Sequence, residues 1–276
     1  MNPSAFTWIW SAYLNVWFPG FLVGTLLAPT ISDRFGRKKA LMLSNVLCVV
    51  ATVISLLSLP FLCPELLIVG RIAAAIASAI GMCSLILFLQ EVAPTAIRGR
   101  ISSYPELCLA LTSLLGMICG LHNVFGENLF VLIGLPIIAN LCALLFLAPC
   151  PETPKFLLIN RKDKVKAKKS ISFFQGKDIN IEKVFEAISA ESQDEISSQK
   201  TSLGEIWRTP YLRKALLIGI VALLLQIGTG VDSLVFLSSE FFIAAGLPKF
   251  AAEMGTVAMM AIMSTATVKL NKLIRM

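Results

Sequence analysis

Asp33-Arg34-Phe35-Gly36-Arg37-Lys38-Lys39 stands between two long apolar runs, and the stretch from Met1 to Ser32 ahead of it carries no charge. Basic, polar, turn-forming punctuation of this kind is the signature of a membrane hairpin: a helix in, a charged turn, a helix back. Gly36 supplies the backbone freedom that a tight reversal needs. The basic cluster resists translocation, which places this turn on the cytoplasmic side.

Composition agrees with that reading. The chain has 276 residues, 56% of them hydrophobic and only 15% charged, and a mean hydropathy of +0.78. A soluble domain of this length needs a far more polar surface. The net charge of +7 invites comparison with nucleic-acid binders. Its distribution excludes that class. Apart from Arg71 and Lys249, every Lys and Arg falls in the Arg34–Lys39 turn, at Arg98 and Arg100, between Lys155 and Lys214, or in the tail at Lys269, Lys272 and Arg275. These places lie on alternate connections of a multispan chain, so all can face one compartment.

A spanning helix takes about 20 mostly apolar residues. Seven segments meet or approach that length: Trp8–Pro29, Ala40–Pro60, Leu66–Gln90, Ile101–Leu121, Leu129–Ala148, Ala215–Ser239 and Phe250–Val268. Helices are expected throughout, because lipid does not tolerate open sheet edges. The start of the chain lacks the basic flank and cleavage site of a signal peptide. The small residues Gly70, Ala74, Ala75, Ser78 and Ala79 let a neighbouring helix come close to the third span. Cys48, Cys63, Cys83, Cys108, Cys119, Cys142 and Cys150 are scattered without paired spacing and read as small hydrophobes. His122 has no partner pattern and is assigned no role.

From Pro151 to Lys214 the chain turns polar and carries both signs of charge. Arg161 to Lys169 holds a dense run of basic residues, suited to anionic lipid. Asp178 is expected to cap a short helix with Ile181, Phe185 and Ile188 on one face. Ser202 and Glu205 have capping-box spacing ahead of Ile206 and Trp207. The expectation is a cytoplasmic linker of short amphipathic helices.

Five motifs then resemble the sugar porter family of the major facilitator superfamily, the facilitative hexose transporters. Asp33-Arg34-Phe35-Gly36-Arg37-Lys38 is similar to the turn between the family's second and third helices, and Gly70-Arg71 to the start of its fourth. Glu91-Val92-Ala93-Pro94-Thr95-Ala96-Ile97-Arg98-Gly99 resembles the turn after that helix. Pro151-Glu152-Thr153-Pro154-Lys155-Phe156-Leu157-Leu158 resembles the element after the sixth helix. Gln226-x-x-Thr229-Gly230-x-Asp232 resembles the seventh-helix motif. The order and spacing match over nearly the whole chain.

The resemblance implies an all-α polytopic membrane protein: a partial major facilitator fold with about seven transmembrane helices and a cytoplasmic helical linker. Residues 1–150 would form a partial N-terminal bundle of family helices 2–6. Residues 151–214 would be the linker, and 215–276 a partial C-terminal bundle of helices 7–8. With an odd number of spans the two ends face opposite sides, and the sequence is expected to be a fragment or degenerate copy that takes up no hexose by itself. By the same resemblance Asp33, Arg34, Arg37, Glu91, Arg98, Glu152 and Lys155 are charges of a cytoplasmic gate. Lys155 replaces the usual Arg, which removes bidentate pairing. Pro29 replaces a small Gly, so looser packing is expected there.

Glu106, Gln226, Thr229 and Asp232 fall at substrate-binding positions. The family has neutral amides at Glu106, Ile227, Asp232 and Met259, and such amides suit a sugar's hydroxyls. A carboxylate within the bilayer costs on the order of 3 kcal/mol, and such residues are usually functional. Three readings follow: a hexose-type facilitator, a transporter of a cationic or proton-coupled solute, or a non-transporting partner of a full-length relative. The implied setting is the lipid bilayer of the plasma membrane, with a small solute and no nucleic acid. No nucleophile–base set, metal cluster or phosphate loop is present in the pattern, and neither catalysis nor a cofactor is expected.

Overall fold

Gly20, Gly24, Ala28 and Ser32 recur every fourth residue and form the buried stripe of α1 (Trp17–Phe35). Residues four apart share one helix face. The stripe lies against α3 (Pro64–Val92), and its small residues let the two backbones nearly touch. A Cβ on Gly24 would stand 2.5 Å from the Ile76 carbonyl oxygen and 2.7 Å from the Ala79 Cβ; one on Gly20 would stand 2.9 Å from the Ala75 Cβ. In lipid, where burial of apolar surface between helices gains little, this close contact is what drives association.

The computed structural model describes residues 8, 11–94, 97–176, 181–197, 208–230, 234–235 and 237–273. They are helical nearly throughout, with no strand among them. α2 (Arg37–Phe61) packs beside α3, where Gly70 meets the backbone of Ala51 and Ser55. Leu62, left-handed at φ 51°, ends α2, and Pro64 opens α3, as its missing N–H suits a first helical position. α4 (Arg98–Ser102) leads to α5 (Tyr104–Gly120). Asn128 caps α6 (Leu129–Leu147) by accepting from the Val131 N–H, and α6 packs on α2.

The polar segment folds as expected, into short helices. Among them α7 (Pro154–Ile159) and α8 (Lys164–Gln175) pack on each other. Asp163 caps α8, and the N–H of Lys166 holds its carboxyl below the usual carboxylate range. Phe174 of α8 meets Phe88 of α3 edge to face at 5.8 Å. α9 (Ile181–Ser197) carries the expected Ile181, Phe185 and Ile188. The expected caps at Asp178 and at Ser202 and Glu205 lie outside the described residues. α10 (Pro210–Gly228), α11 (Ser238–Ala244) and α12 (Lys249–Leu273) complete the chain.

The chain divides into two compact units. One comprises Met1–Pro105 and His122–Ser189; the other comprises Glu106–Leu121 and Ala190–Met276. In the second, the Ser264 hydroxyl of α12 donates to the Ala110 carbonyl of α5 at 3.2 Å, and Ser238 bonds Thr256 at 3.1 Å.

Among the described residues, 6 helices are long and apolar enough to cross a membrane. The seventh expected span, Ala215–Ser239, lies partly outside the described residues. Its helix α10 starts earlier, at Pro210, and stops at Gly228; Gly230 then takes φ 63°, a conformation that interrupts a right-handed helix. The first span runs past Pro29 to Phe35. Proline removes one ladder bond there, and its ring lies on the exposed side, so Ala28 and Ser32 stay 1% exposed. The looser packing expected at Pro29 does not occur.

Gly24→Ala is expected to lower stability by about 1–3 kcal/mol, the usual cost of overpacking a close contact. Gly134→Ala, whose new methyl would meet Leu56 at an ordinary 3.8 Å, should be neutral or slightly stabilising. Unfolding in mixed micelles by detergent titration checks the pair.

Candidate functional site

Glu91 is the last but one residue of α3, and its side chain is only 10% exposed. A carboxylate so placed needs partners, and three elements supply them. Arg37, in the first turn of α2, donates from Nε to Glu91 Oε1 at 2.8 Å. Thr153, fully buried just ahead of α7, donates its hydroxyl to Glu91 Oε2 at 2.5 Å. Both carboxylate oxygens are thereby held, and charge-assisted bonds of this type are about twice as strong as neutral ones.

Arg37 is the hub. Its Nη1 lies 3.1 Å from Asp33 Oδ1 and 3.3 Å from the Ser32 carbonyl at the end of α1. Its guanidinium covers the Phe156 ring at 5.5 Å, with Arg161 near the same ring at 5.9 Å. One side chain thus ties the ends of α1, α2 and α3 to α7. Rigid planar guanidinium suits that work better than ammonium.

Glu152 does something different. Its Oε1 accepts from the backbone N–H of Lys38 at 2.7 Å and of Thr153 at 3.2 Å. α2 has Gly36 at its N-cap and no capping side chain of its own, so a carboxylate 114 residues away fills that place. An anion at a helix N-terminus satisfies orphan N–H groups and meets the positive end of the dipole. Gly36 is required twice over. It takes φ 105°, and a Cβ there would collide with Glu152 Oε2 and reach Phe156 at 3.0 Å.

The corner is closed by longer reaches. Lys38 Nζ donates to the Ala148 carbonyl at 2.9 Å. Asn160 Nδ2 donates to the Asp33 carbonyl at 2.8 Å, and Ser170 Oγ to the Glu152 carbonyl at 2.6 Å.

Of the expected gate charges, Asp33, Arg37, Glu91 and Glu152 come together. Lys155, in the first turn of α7, adds to the positive field at Glu91. Arg98 opens α4, half-buried. Arg34 stands apart, exposed, over the ring of its neighbour Phe35 at 5.7 Å. The residues that sequence reasoning left without a role are Thr153, Phe156, Asn160 and Ser170. Thr153 was within reach: it follows Glu152 and precedes the helix-opening Pro154.

The expected substrate residues are less fully placed. Glu106 is exposed in the first turn of α5. Thr229 is exposed in the turn after α10. Asp232 and the side chain of Gln226 lie outside what the structure describes. No group of three or more metal-ligating side chains occurs among the described residues.

The profile of the family described as "Sugar (and other) transporter" matches residues 3–270. Facilitated glucose transporter member 1 of solute carrier family 2 from Gallus gallus is 28% identical over 249 residues, 90% of this chain and 51% of the relative. Member 9 from Homo sapiens is 29% identical over 253 residues, 90% of this chain and 46% of the relative. The proton:xylose symporter bound to 6-bromo-6-deoxy-D-glucose superposes with a TM-score of 0.77 at 18% identity, over 99% of this chain and 60% of that one. That likeness shows the fold. The chain spans about half the length of the curated relatives it matches.

Glu91→Gln is expected to cost about 3 kcal/mol, because it leaves the mostly buried Arg37 with only the exposed Asp33 as counter-ion. Asp33→Asn should cost under about 1 kcal/mol, since Asp33 is 66% exposed and exposed pairs contribute little. The same detergent titration reads both, and equal losses would refute the ranking.

Proposed function

Because the chain belongs to the sugar (and other) transporter family, we propose that it works in moving hexose-like solutes across a membrane by alternating access. It is a multi-pass membrane protein. The observation that carries the mechanism is the buried corner joining Arg37, Glu91, Glu152 and Thr153 at the ends of α1, α2 and α3. Alternating access rocks two halves of a transporter about a site near the midplane. A corner that locks the ends of three spans and two short helices makes its half move as one body. In this reading Asp33, Arg37, Glu91 and Glu152 are gate charges that hold this side shut, and Arg34, Arg98 and Lys155 complete the set. The basic residues put this side in the cytoplasm, in accord with a plasma-membrane transporter.

Glu106, Gln226, Thr229 and Asp232 are proposed to face the solute. The relatives are named as transporters, and the chain is read as a transporter and not an enzyme. A second reading, a cationic or proton-coupled solute, draws on Glu106, whose carboxylate stands exposed in α5.

Transport is tested in proteoliposomes with radiolabelled glucose, fructose, xylose and a panel of organic cations. The 276-residue chain and the longest reading frame containing it are assayed side by side. Saturable hexose uptake by the longer protein, slowed at least tenfold by Glu91→Gln at equal insertion, is the expected result. Uptake of cations only, abolished by Glu106→Gln, would support the second reading. Absence of all uptake would exclude both.

Orientation has its own test. Cys63 is exposed in the connection between α2 and α3, one helix length of about 36 Å from the charged corner. A membrane-impermeant maleimide should label it from outside intact cells and not from the inner face. Labelling only in inside-out vesicles would reverse the assigned orientation.

A further inference from the structure

Phe35, Lys39, Glu152, Phe156, Leu157, Arg161, Asp163 and Lys166 line a cavity of about 400 Å³ at the charged end of the first unit. That volume falls in the range of small-ligand sites. The two carboxylates in its wall are already engaged. Glu152 accepts from the Lys38 N–H, and Asp163 accepts from the Lys166 N–H and pairs with Lys166 Nζ at 3.0 Å. Lys39 and Arg161 are not so engaged: neither makes an ion pair among the described residues, and Arg161 only lies over the Phe156 ring. The lining therefore carries three cations against two carboxylates, and Lys39 and Arg161, one of them a guanidinium fork, stand outside any ion pair among the described residues.

Two cations match one doubly charged anion. The guanidinium fork pairs with phosphate oxygens in two parallel hydrogen bonds, and the lysine adds a point charge. Position then selects the source. Lys39 is the third residue of spanning helix α2, so the cavity lies where a membrane helix leaves the apolar layer. Arg161 and Lys166 also line it and belong to the basic run of residues 161–169, which a negatively charged leaflet attracts. Phe35, 47% exposed, gives the lining an apolar surface on which a glycerol backbone can rest.

We infer that this cavity binds the phosphate monoester headgroup of an anionic membrane lipid, holding it between Lys39 and Arg161. Since Glu152 and Phe156 belong both to the cavity and to the corner around Arg37, a bound headgroup reinforces the closed arrangement of α2 and α7. The inference takes the cytoplasmic side from the orientation proposed above and is independent of which solute is carried.

The test is lipid retention, counted by native mass spectrometry on the purified chain given equimolar phosphatidic acid, phosphatidylglycerol and phosphatidylethanolamine. Phosphatidic acid should be retained at least fivefold over phosphatidylglycerol, which carries one charge. Lys39→Gln with Arg161→Gln should abolish that preference, with helical content by circular dichroism confirming the fold. Lys164→Gln with Lys169→Gln removes the same charge from the basic run but not from the cavity wall, and should leave the preference intact. Equal loss in both double variants would mean diffuse attraction and overturn the site. Equal retention of phosphatidic acid and phosphatidylglycerol would overturn the charge match. Millimolar glycerol 3-phosphate should not displace the lipid; displacement would assign the cavity to a soluble phosphate ester instead. Wrong-side labelling of Cys63 together with normal retention would reject the orientation and leave the site standing.

Discussion

Glu91 stands one residue before the end of a 29-residue apolar helix, with a carboxylate almost removed from water, and the arrangement around it follows from that single cost. A buried carboxylate without partners is worth several kcal/mol of penalty. Arg37 from α2 and Thr153 from the segment before α7 remove it. Once Arg37 is committed, α2 must begin where it does, and Gly36 must make the turn at φ 105°. The start of α2 then lacks its own capping side chain, and Glu152 supplies the acceptor. Each group solves a problem that the previous one creates.

Packing between the spans rests on a different constraint. Lipid tails are as apolar as the helix surfaces, so helices adhere through close contact and not through burial of oil. Gly20 against Ile72 and Ala75, Gly24 against Ile76 and Ala79, and Gly70 against Ala51 and Ser55 bring backbones together. Many large apolar residues point away: Leu26, Leu145 and Phe146 are each over 70% exposed. The polarity is thus inverted relative to a soluble protein, with small residues inside and large ones at the lipid face.

The two kinds of contact divide the labour. The small-residue seam holds the spans along their length without directional bonds. The ionic corner fixes their ends in register and couples them to the short polar helices α7 and α8. A body built this way is tied both along the length of its spans and at their ends.

Much of this was legible in the residues themselves. The apolar runs, the basic turns and the five motifs determined the helical class, the spans and the family, because membrane insertion depends on local composition and each motif is contiguous. Gly36 was readable as a turn, since only its own backbone is involved. The break at Gly228–Gly230 was not, because an apolar run looks continuous whether or not the helix is. Nor was the pairing of Glu152 with α2, or of Thr153 with Glu91, because those partners lie 114 and 62 residues apart. The sequence determined that charged groups would gather at the helix ends, by the cost of placing them in lipid. Only the tertiary structure decided which carboxylate meets the guanidinium and which one caps a helix, because that choice depends on distances set when α1, α2, α3 and α7 pack together.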